Sequence, residues 1–313
     1  MGSAGVKMVT DEIVLVAENR PLTGGHFLLS LHTPAQARST RPGQFAMVRL
    51  MGDSSPLLRR PMSIYDVKSL IGAAQGGMRS FGDTVPGIKV RAVSRNGDSP
   101  ELVQLLYKVV GRGTQLMSEL RPGDEVGLLA PLGHGFFEEE YLELVNRADE
   151  VWHVAGGIGI AALLLPAKSL AKIGIRQRLF FGARTKEDLV GVEDFEPFMD
   201  EIVLASEDGS RGYRGYVTRP LGKALDSGHG QKLLLMACGP WAMLQATVEL
   251  AKLHGQPCMV SMENRMGCGL GVCLGCSIRV NGEGHGSYER VCTEGPVFWA
   301  DHVIWEKESI PKI

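Results

Sequence analysis

The 313-residue sequence predicts a multi-domain fold: an antiparallel β-barrel, then an α/β domain with a parallel sheet, then a small C-terminal lobe gathered round cysteines. Three observations predict it. Short strand-like runs punctuated by Pro and Gly fill the first ~145 residues, as in antiparallel barrels. From Glu150 strand-like and helix-like runs alternate, the order that gives a parallel sheet. Four of the six cysteines then crowd between positions 268 and 292. The boundaries expected are 1–148, 149–261 and 262–313.

In the first segment the strands are expected at residues 12–18, 26–32, 44–50, 62–66, 102–110 and 125–129. A short helical stretch should open at Gly111-Arg112-Gly113-Thr114 and run through Leu120. Residues 75–100 fit poorly, being rich in Gly, Ser and Arg, with a weak apolar run at 88–93. A stretch that long without structure of its own is uncommon inside a compact domain and reads as an insertion.

The second segment reads as strand 151–155, helix 160–173, strands 178–181 and 202–205, strand 232–237, helix 242–254 and strand 257–261. Pro166 falls inside the first helix and removes a backbone donor, which predicts a kink there or a shorter helix. Nothing repeats internally. The apolar run 154–165 contains three glycines and falls short of the ~20 residues a membrane span needs.

The third segment carries Cys268, Cys273, Cys276 and Cys292, with four, two and fifteen residues between successive members. That is the tight trio and distant fourth thiolate of a plant-type [2Fe-2S] site. Gly267, Gly269, Gly271 and Gly275 leave the loop nearly free of side chains, so backbone N–H groups can approach sulfur. After strand-like Ser277-Ile278-Arg279-Val280, the dipeptide Asn281-Gly282 suggests a tight hairpin whose return strand delivers Cys292. A zinc ribbon would show two Cys-x-x-Cys knuckles, and only Cys273 and Cys276 have that spacing. A disulfide framework belongs to short secreted chains, and no signal-like N-terminus is present.

A net charge of −2, with 22% charged and 44% hydrophobic residues, gives no electrostatic case for nucleic acid or anionic membrane. Single-electron transfer to small or protein partners in the cytoplasm is the expectation. The eight histidines are scattered without ligand spacing.

Two segments suit phosphate. Gly156-Gly157-Ile158-Gly159 ends a strand and opens a helix, aiming backbone N–H groups at an anion; close helix–sheet packing through small residues explains the same pattern. In the first segment Arg60-Pro61-Met62-Ser63 offers a guanidinium and a hydroxyl, and Gly113-Thr114 a helix start. A surface arginine and an ordinary capped turn account for these equally.

Taken in order, Arg60-Pro61-Met62-Ser63, Gly111-Arg112-Gly113-Thr114, Gly156-Gly157-Ile158-Gly159 and Cys238-Gly239-Pro240-Trp241-Ala242-Met243 resemble the ferredoxin reductase superfamily. Within it, the segments from Ser261-Met262-Glu263 to Cys268 and from Arg290-Val291-Cys292 to Phe298 are similar to the electron-transfer subunits of heteromeric, NAD-linked dihydroorotate dehydrogenases. The resemblance implies FAD on the barrel, with Arg60, Pro61, Met62 and Ser63 near its phosphate and flavin and Gly113 and Thr114 at its pyrophosphate. It implies NAD(H) along Gly156, Gly157 and Gly159, and Cys238 where nicotinamide meets flavin, a catalytic position; a small buried core residue is the plainer reading of Cys238, and Cys258 is left to that reading. Acidic and basic residues mix between Arg184 and Asp188, so the residues leave NADH against NADPH open, and the resemblance favours NADH.

A hydride donor and a one-electron cluster need a flavin between them, which explains three sites on one chain. The resemblance also implies a partner, an FMN-containing catalytic subunit that oxidises dihydroorotate in pyrimidine biosynthesis, two copies of each forming a heterotetramer, with the cluster segment facing it. The competing readings are a reductase subunit of a hydrogenase, transhydrogenase or glutamate-synthase-like complex, a free-standing oxygenase reductase, and a non-catalytic redox sensor.

Overall fold

The computed structural model describes residues 9–52, 56–69, 101–228, 232–282 and 287–305. The supposed insertion at 75–100 lies outside the described residues. The chain divides into two compact units, Met1–Arg41 with Phe45–Leu132, and Pro42–Gln44 with Gly133–Ile313.

The first unit is one antiparallel sheet of β1 (Thr10–Pro21), β2 (His26–His32), β3 (Phe45–Leu50), β4 (Arg60–Ser63), β5 (Asp66–Lys68), β6 (Leu102–Lys108) and β7 (Glu125–Leu132). Their order is β4-β3-β7-β1-β2-β6-β5. The edge strands β4 and β5 are separated in sequence by only Ile64 and Tyr65, so the sheet must curl until its edges approach, a barrel-like closure. Both linking side chains are buried, as are Val16, Leu29, Leu31, Met47, Leu105 and Leu128. The single strand expected at 62–66 is therefore two: the Tyr65 N–H turns to Gln104 O (2.9 Å) as the chain crosses from one edge to the other. Among the described residues the unit also has two short α-helices, α1 (Pro34–Ser39) and α2 (Arg112–Ser118).

The second unit begins with α3 (Glu139–Arg147) and winds β8 (Glu150–Gly156), α4 (Leu164–Lys172), β9 (Arg176–Ala183), α5 (Val192–Phe195), β10 (Glu201–Ser206), β11 (Tyr213–Arg214), α6 (Thr218–Asp226), β12 (Leu233–Cys238), α7 (Trp241–Leu253) and β13 (Cys258–Ser261). The hairpin β14 (Ser277–Val280) and β15 (Ser287–Arg290) and the short strand β16 (Val297–Trp299) follow. The large sheet runs β11-β10-β9-β8-β12-β13-β16, parallel except for β16, which pairs antiparallel with β13. Every residue of β8 and β12 is buried, the near-continuous apolar pattern of strands covered on both faces.

The helix expected over 160–173 splits. Gly157–Ala162 is a 3-10 turn, and α4 starts at Leu164 with Pro166 in its first turn, where an N–H has no intrahelical partner to lose. The Asn281-Gly282 turn is also not tight: the ladder pairs Val280 with Ser287, so six residues connect the strands. Asn281 is engaged elsewhere, its N–H donating to His302 O at 2.8 Å and its side-chain amide to Asp301 O. Helices α3 and α6 escape a sequence reading because their buried residues are only Tyr141 with Val145 and Leu221 with Leu225, one turn apart among charges. Among the described residues no helix is long and apolar enough to cross a membrane.

Candidate functional site

In the first unit the structure brings together the two segments that sequence alone left ambiguous. Arg60 stands at the start of edge strand β4, with Pro61 tolerated because an edge strand need not donate on both sides. A Cβ added to Gly113 would lie 2.1 Å from Arg60 Nε and 2.8 Å from Cζ, so the guanidinium rests directly on the glycine at the start of α2. Arg59 is taken by Asp11 (2.7 Å), whereas Arg60 bonds the carbonyls of Leu58 and Arg59 and has no carboxylate partner among the described residues. Among the described residues nothing neutralises its charge. The first intrahelical bond of α2 is Gln115 N–H to Gly111 O (2.9 Å), so the Gly113 and Thr114 N–H groups precede it.

The Thr114 hydroxyl, by contrast, is spent locally. It accepts from the Val110 N–H (2.9 Å) and the Gly111 N–H (3.2 Å) and donates to Gly111 O (3.0 Å), which shapes the turn. Met62 pairs with Ala46 and Ser63 with Phe45, both half-buried.

In the second unit the order of strands reverses between β8 and β12, and ligands of open α/β sheets bind outside the carboxyl ends at such a point. Gly156-Gly157 leaves β8 there and Cys238-Gly239-Pro240 leaves β12. The two turns interlock: a Cβ on Gly159 would sit 2.4 Å from Cys238 O, and one on Gly156 would sit 2.8 Å from Pro240 Cδ and 2.6 Å from Met243 Sδ. Gly157 has a positive φ of 51° and open space where its side chain would be. The Gly turn thus serves close packing at Gly156 and Gly159 and leaves room at Gly157.

Cys238 ends β12 fully buried, and burial pushes its thiol well above the ordinary range, with the Glu263 charge adding to it and a Ser261 hydrogen bond opposing. It is an uncharged thiol. Glu263 is an exposed residue, and desolvation of its carboxyl raises it as well. Sequence reasoning gave Glu263 no role. Cys258 is likewise buried and raised to about 12 by burial, in keeping with a core residue.

At the cysteine loop Cys276 and Cys292 are buried, Cys268 is half-buried and Cys273 exposed. Cys273 bears on the Cys268 thiol and Cys276 on the Cys292 thiol, and the Cys268 charge also reaches Cys292. Among the described residues no three His, Cys, Asp or Glu side chains converge to hold one metal ion. Two pairs suit a two-iron cluster, in which each iron takes two thiolates. The loop backbone turns toward sulfur: Leu270 N–H donates to Cys268 Sγ (3.3 Å) and Gly271 N–H to Cys292 Sγ (3.2 Å). Burial would raise the Cys268 thiol, but the N–H groups of Leu270, Cys273 and Val272 outweigh it and bring it down to about 7. Burial, then Cys276, pushes Cys292 up to about 12 against the Gly271 N–H. Around the loop Leu270, Val272, Leu274 and Tyr288 are exposed, Val272 at 80%.

Residues 263–304 match the family described as the iron-sulfur cluster binding domain of dihydroorotate dehydrogenase B. Over 90% of its length the chain is 33% identical to the dihydroorotate dehydrogenase B (NAD(+)) electron transfer subunit of Desulforamulus reducens, covering 93% of that protein. The chain belongs to this family of electron transfer subunits. The same subunit of Bacillus caldolyticus is 32% identical over 95% of this chain and all of its own.

Among solved structures, a chain from an NADH-dependent reduced ferredoxin-NADP oxidoreductase superimposes with a TM-score of 0.72 at 26% identity, over 94% of this chain and 90% of that one. A ferredoxin NADP+ reductase from Neisseria gonorrhoeae, 14% identical over 79% of this chain and 92% of its own, has a TM-score of 0.58 and shares the fold. This chain therefore unites a ferredoxin-reductase-like fold with the cysteine loop. What sequence reasoning missed is the support of that loop: Arg290 and Thr293 pack against Gly271 and Glu294 holds Arg290, and the four-residue spacing of Arg290 and Glu294 was their signal.

Proposed function

We propose that this chain carries electrons between NADH and an FMN-containing dihydroorotate dehydrogenase catalytic subunit, through FAD and a [2Fe-2S] cluster, in pyrimidine biosynthesis. The observation that carries the reading is the cysteine loop of 263–304, with two thiol pairs met by backbone N–H groups, in a chain of the electron transfer subunit family. When bound, nicotinamide supplies a hydride, flavin divides the electron pair, and an iron-sulfur cluster passes electrons singly.

The residues have distinct tasks in this reading. Residues 1–148 serve FAD: Arg60 and the Gly113 and Thr114 N–H groups hold its pyrophosphate, while Pro61 and Met62 place Ser63 at the flavin. The Thr114 hydroxyl keeps the turn in shape. Residues 149–261 serve NADH: Gly156 and Gly159 let the turns after β8 and β12 meet, and Gly157 leaves a path for the dinucleotide. Cys238, the catalytic residue of this reading, borders that path as a neutral thiol, so it adds no charge to repel a hydride donor. Residues 262–313 present the cluster, held by Cys268 and Cys273 on the exposed side and Cys276 and Cys292 on the buried side.

The exposed Leu270, Val272 and Leu274 beside Cys273 support a partner face at the loop, because an apolar collar round a redox centre excludes water when covered. The complex contains two copies of each subunit and acts in the cytoplasm. The test is NADH-dependent reduction of orotate by the purified chain, alone and mixed with an FMN-bearing dihydroorotate dehydrogenase subunit, with flavin and iron quantified. Activity only in the mixture supports the reading; a reduced flavin with orotate untouched in both refutes the partner assignment.

A second reading is favoured by one observation, the TM-score of 0.72 with the ferredoxin-NADP oxidoreductase chain: a transhydrogenase-like complex whose partner exchanges electrons with another nicotinamide. NADH-dependent NADP+ reduction by the co-purified complex would select it.

A further inference from the structure

Gly271 is gripped at both ends. Its N–H donates to Cys292 Sγ (3.2 Å), and its carbonyl accepts from Arg290 Nη1 (3.1 Å). Arg290 is fixed in turn by Glu294: Nε donates to Oε2 (3.0 Å), Nη2 to Oε1, and the Arg290 backbone N–H to Oε2 (2.6 Å). Thr293 Oγ1 donates to the same carboxylate at 3.0 Å. Any Cβ on Gly271 would meet Thr293 Cγ2 at 2.9 Å and Arg290 Nη1 at 3.1 Å, and its φ of 77° already excludes most side chains. The cysteine loop is thus tied to the turn that carries Cys292 by one guanidinium.

We propose that the Arg290–Glu294 pair is a positioning clamp that keeps the Gly271 N–H on Cys292 Sγ and so sets the reduction potential of the cluster. The inference rests on the reading of the four cysteines as ligands. A hydrogen bond to a cluster sulfur favours the more negative, reduced state and raises the potential. The clamp requires a fork. A guanidinium grips both carboxylate oxygens while a further N–H reaches a carbonyl, and a lysine head on a flexible stem does not hold that geometry.

The positioning role differs in sign from a plain charge effect. Charge alone predicts that Glu294→Ala, which removes a negative charge, raises the potential, and that Arg290→Lys and Glu294→Asp leave it where it was. Positioning predicts that all three lower it, since each loosens Gly271.

The experiment is an electron paramagnetic resonance-monitored redox titration of the full chain, loaded with flavin and iron, as wild type, Arg290→Lys, Glu294→Asp, Glu294→Ala and the Arg290→Lys/Glu294→Asp double variant. The expected result is a lower midpoint and altered g-values in each single variant, with the double variant no lower than the lower single. Loss of iron from Arg290→Lys with flavin retained also counts for the clamp, because the charge is kept. Charge-conserving variants at the wild-type midpoint, or a raised midpoint in Glu294→Ala, overturn it. A wild type that shows no two-iron signal overturns instead the ligand reading beneath it.

Discussion

Gly159→Ala tests the nicotinamide assignment most directly. The new Cβ would lie 2.4 Å from Cys238 O, 2.6 Å from its carbonyl carbon and 2.7 Å from Gly239 N, about 1 Å inside the ordinary contact that begins at 3.4 Å. All three obstacles are backbone, so no side chain can rotate away, and the turns after β8 and β12 must separate. Overpacking of this kind costs about 1–3 kcal/mol of stability. A positional error near 1 Å at a reacting group costs on the order of 100-fold in rate. The assay is stopped-flow reduction of the bound flavin by NADH, with flavin and iron contents checked first. Gly174→Ala is the control: its φ of 75° makes the substitution strained, by about 1–2 kcal/mol, but nothing lies within 4 Å of the new atom. Gly159→Ala should slow flavin reduction far more than Gly174→Ala at comparable stability. Wild-type affinity and rate in a folded Gly159→Ala protein would refute the placement of nicotinamide at this turn.

Three further outcomes are expected. Arg60→Ala should release flavin during gel filtration at low protein concentration, and full retention would remove Arg60 from the phosphate site. Cys273→Ser should abolish the reduced-cluster paramagnetic signal while leaving FAD bound; an unchanged signal takes Cys273 out of the ligand set. His153 is fully buried, and burial lowers it from 6.5 to about 4 against the Gln177 hydrogen bond. The unfolded chain therefore takes up the proton first on acidification, so about 3 kcal/mol of stability is present above pH 6.5 and drains away toward pH 4. Urea unfolding of wild type and His153→Leu between pH 7.5 and 4.5 should show this slope in wild type alone.

The parts of the fold legible in the sequence are those whose cause is local. Strand β2 matches its expected bounds because apolar residues end at His26 and His32, and β14 likewise because its flanks are a cysteine loop and Asn281. Pro166 announced that the helix after β8 is shorter than its apolar run, and the 3-10 turn before α4 is the result. Segments stabilised by distant partners were not legible. β5 is three residues held by β6, β11 is two residues held by β10, and α1 is six residues fixed by Gln36, whose amide reaches Thr10 and Leu128. No periodicity of two or 3.6 can register in such short pieces.

The candidate site divides along the same line, and the division says where glycine carries information. In sequence Gly113 and Gly159 read as cofactor turns or ordinary ones, and Gly271 as room for the cysteine loop; none shows which group it makes way for. Each is glycine because something arrives from elsewhere: the Arg60 guanidinium, the Cys238 carbonyl, and the Arg290 and Thr293 side chains. Sequence marks only the side chain that is missing, while its reason lies up to some eighty residues away at Cys238. The cysteines, by contrast, point to a cluster through their spacing alone. A glycine beside a reactive motif is therefore best read as a contact still to be found, and Gly271 is the case in which that contact, the clamp of Arg290 and Glu294, bears on the redox centre itself.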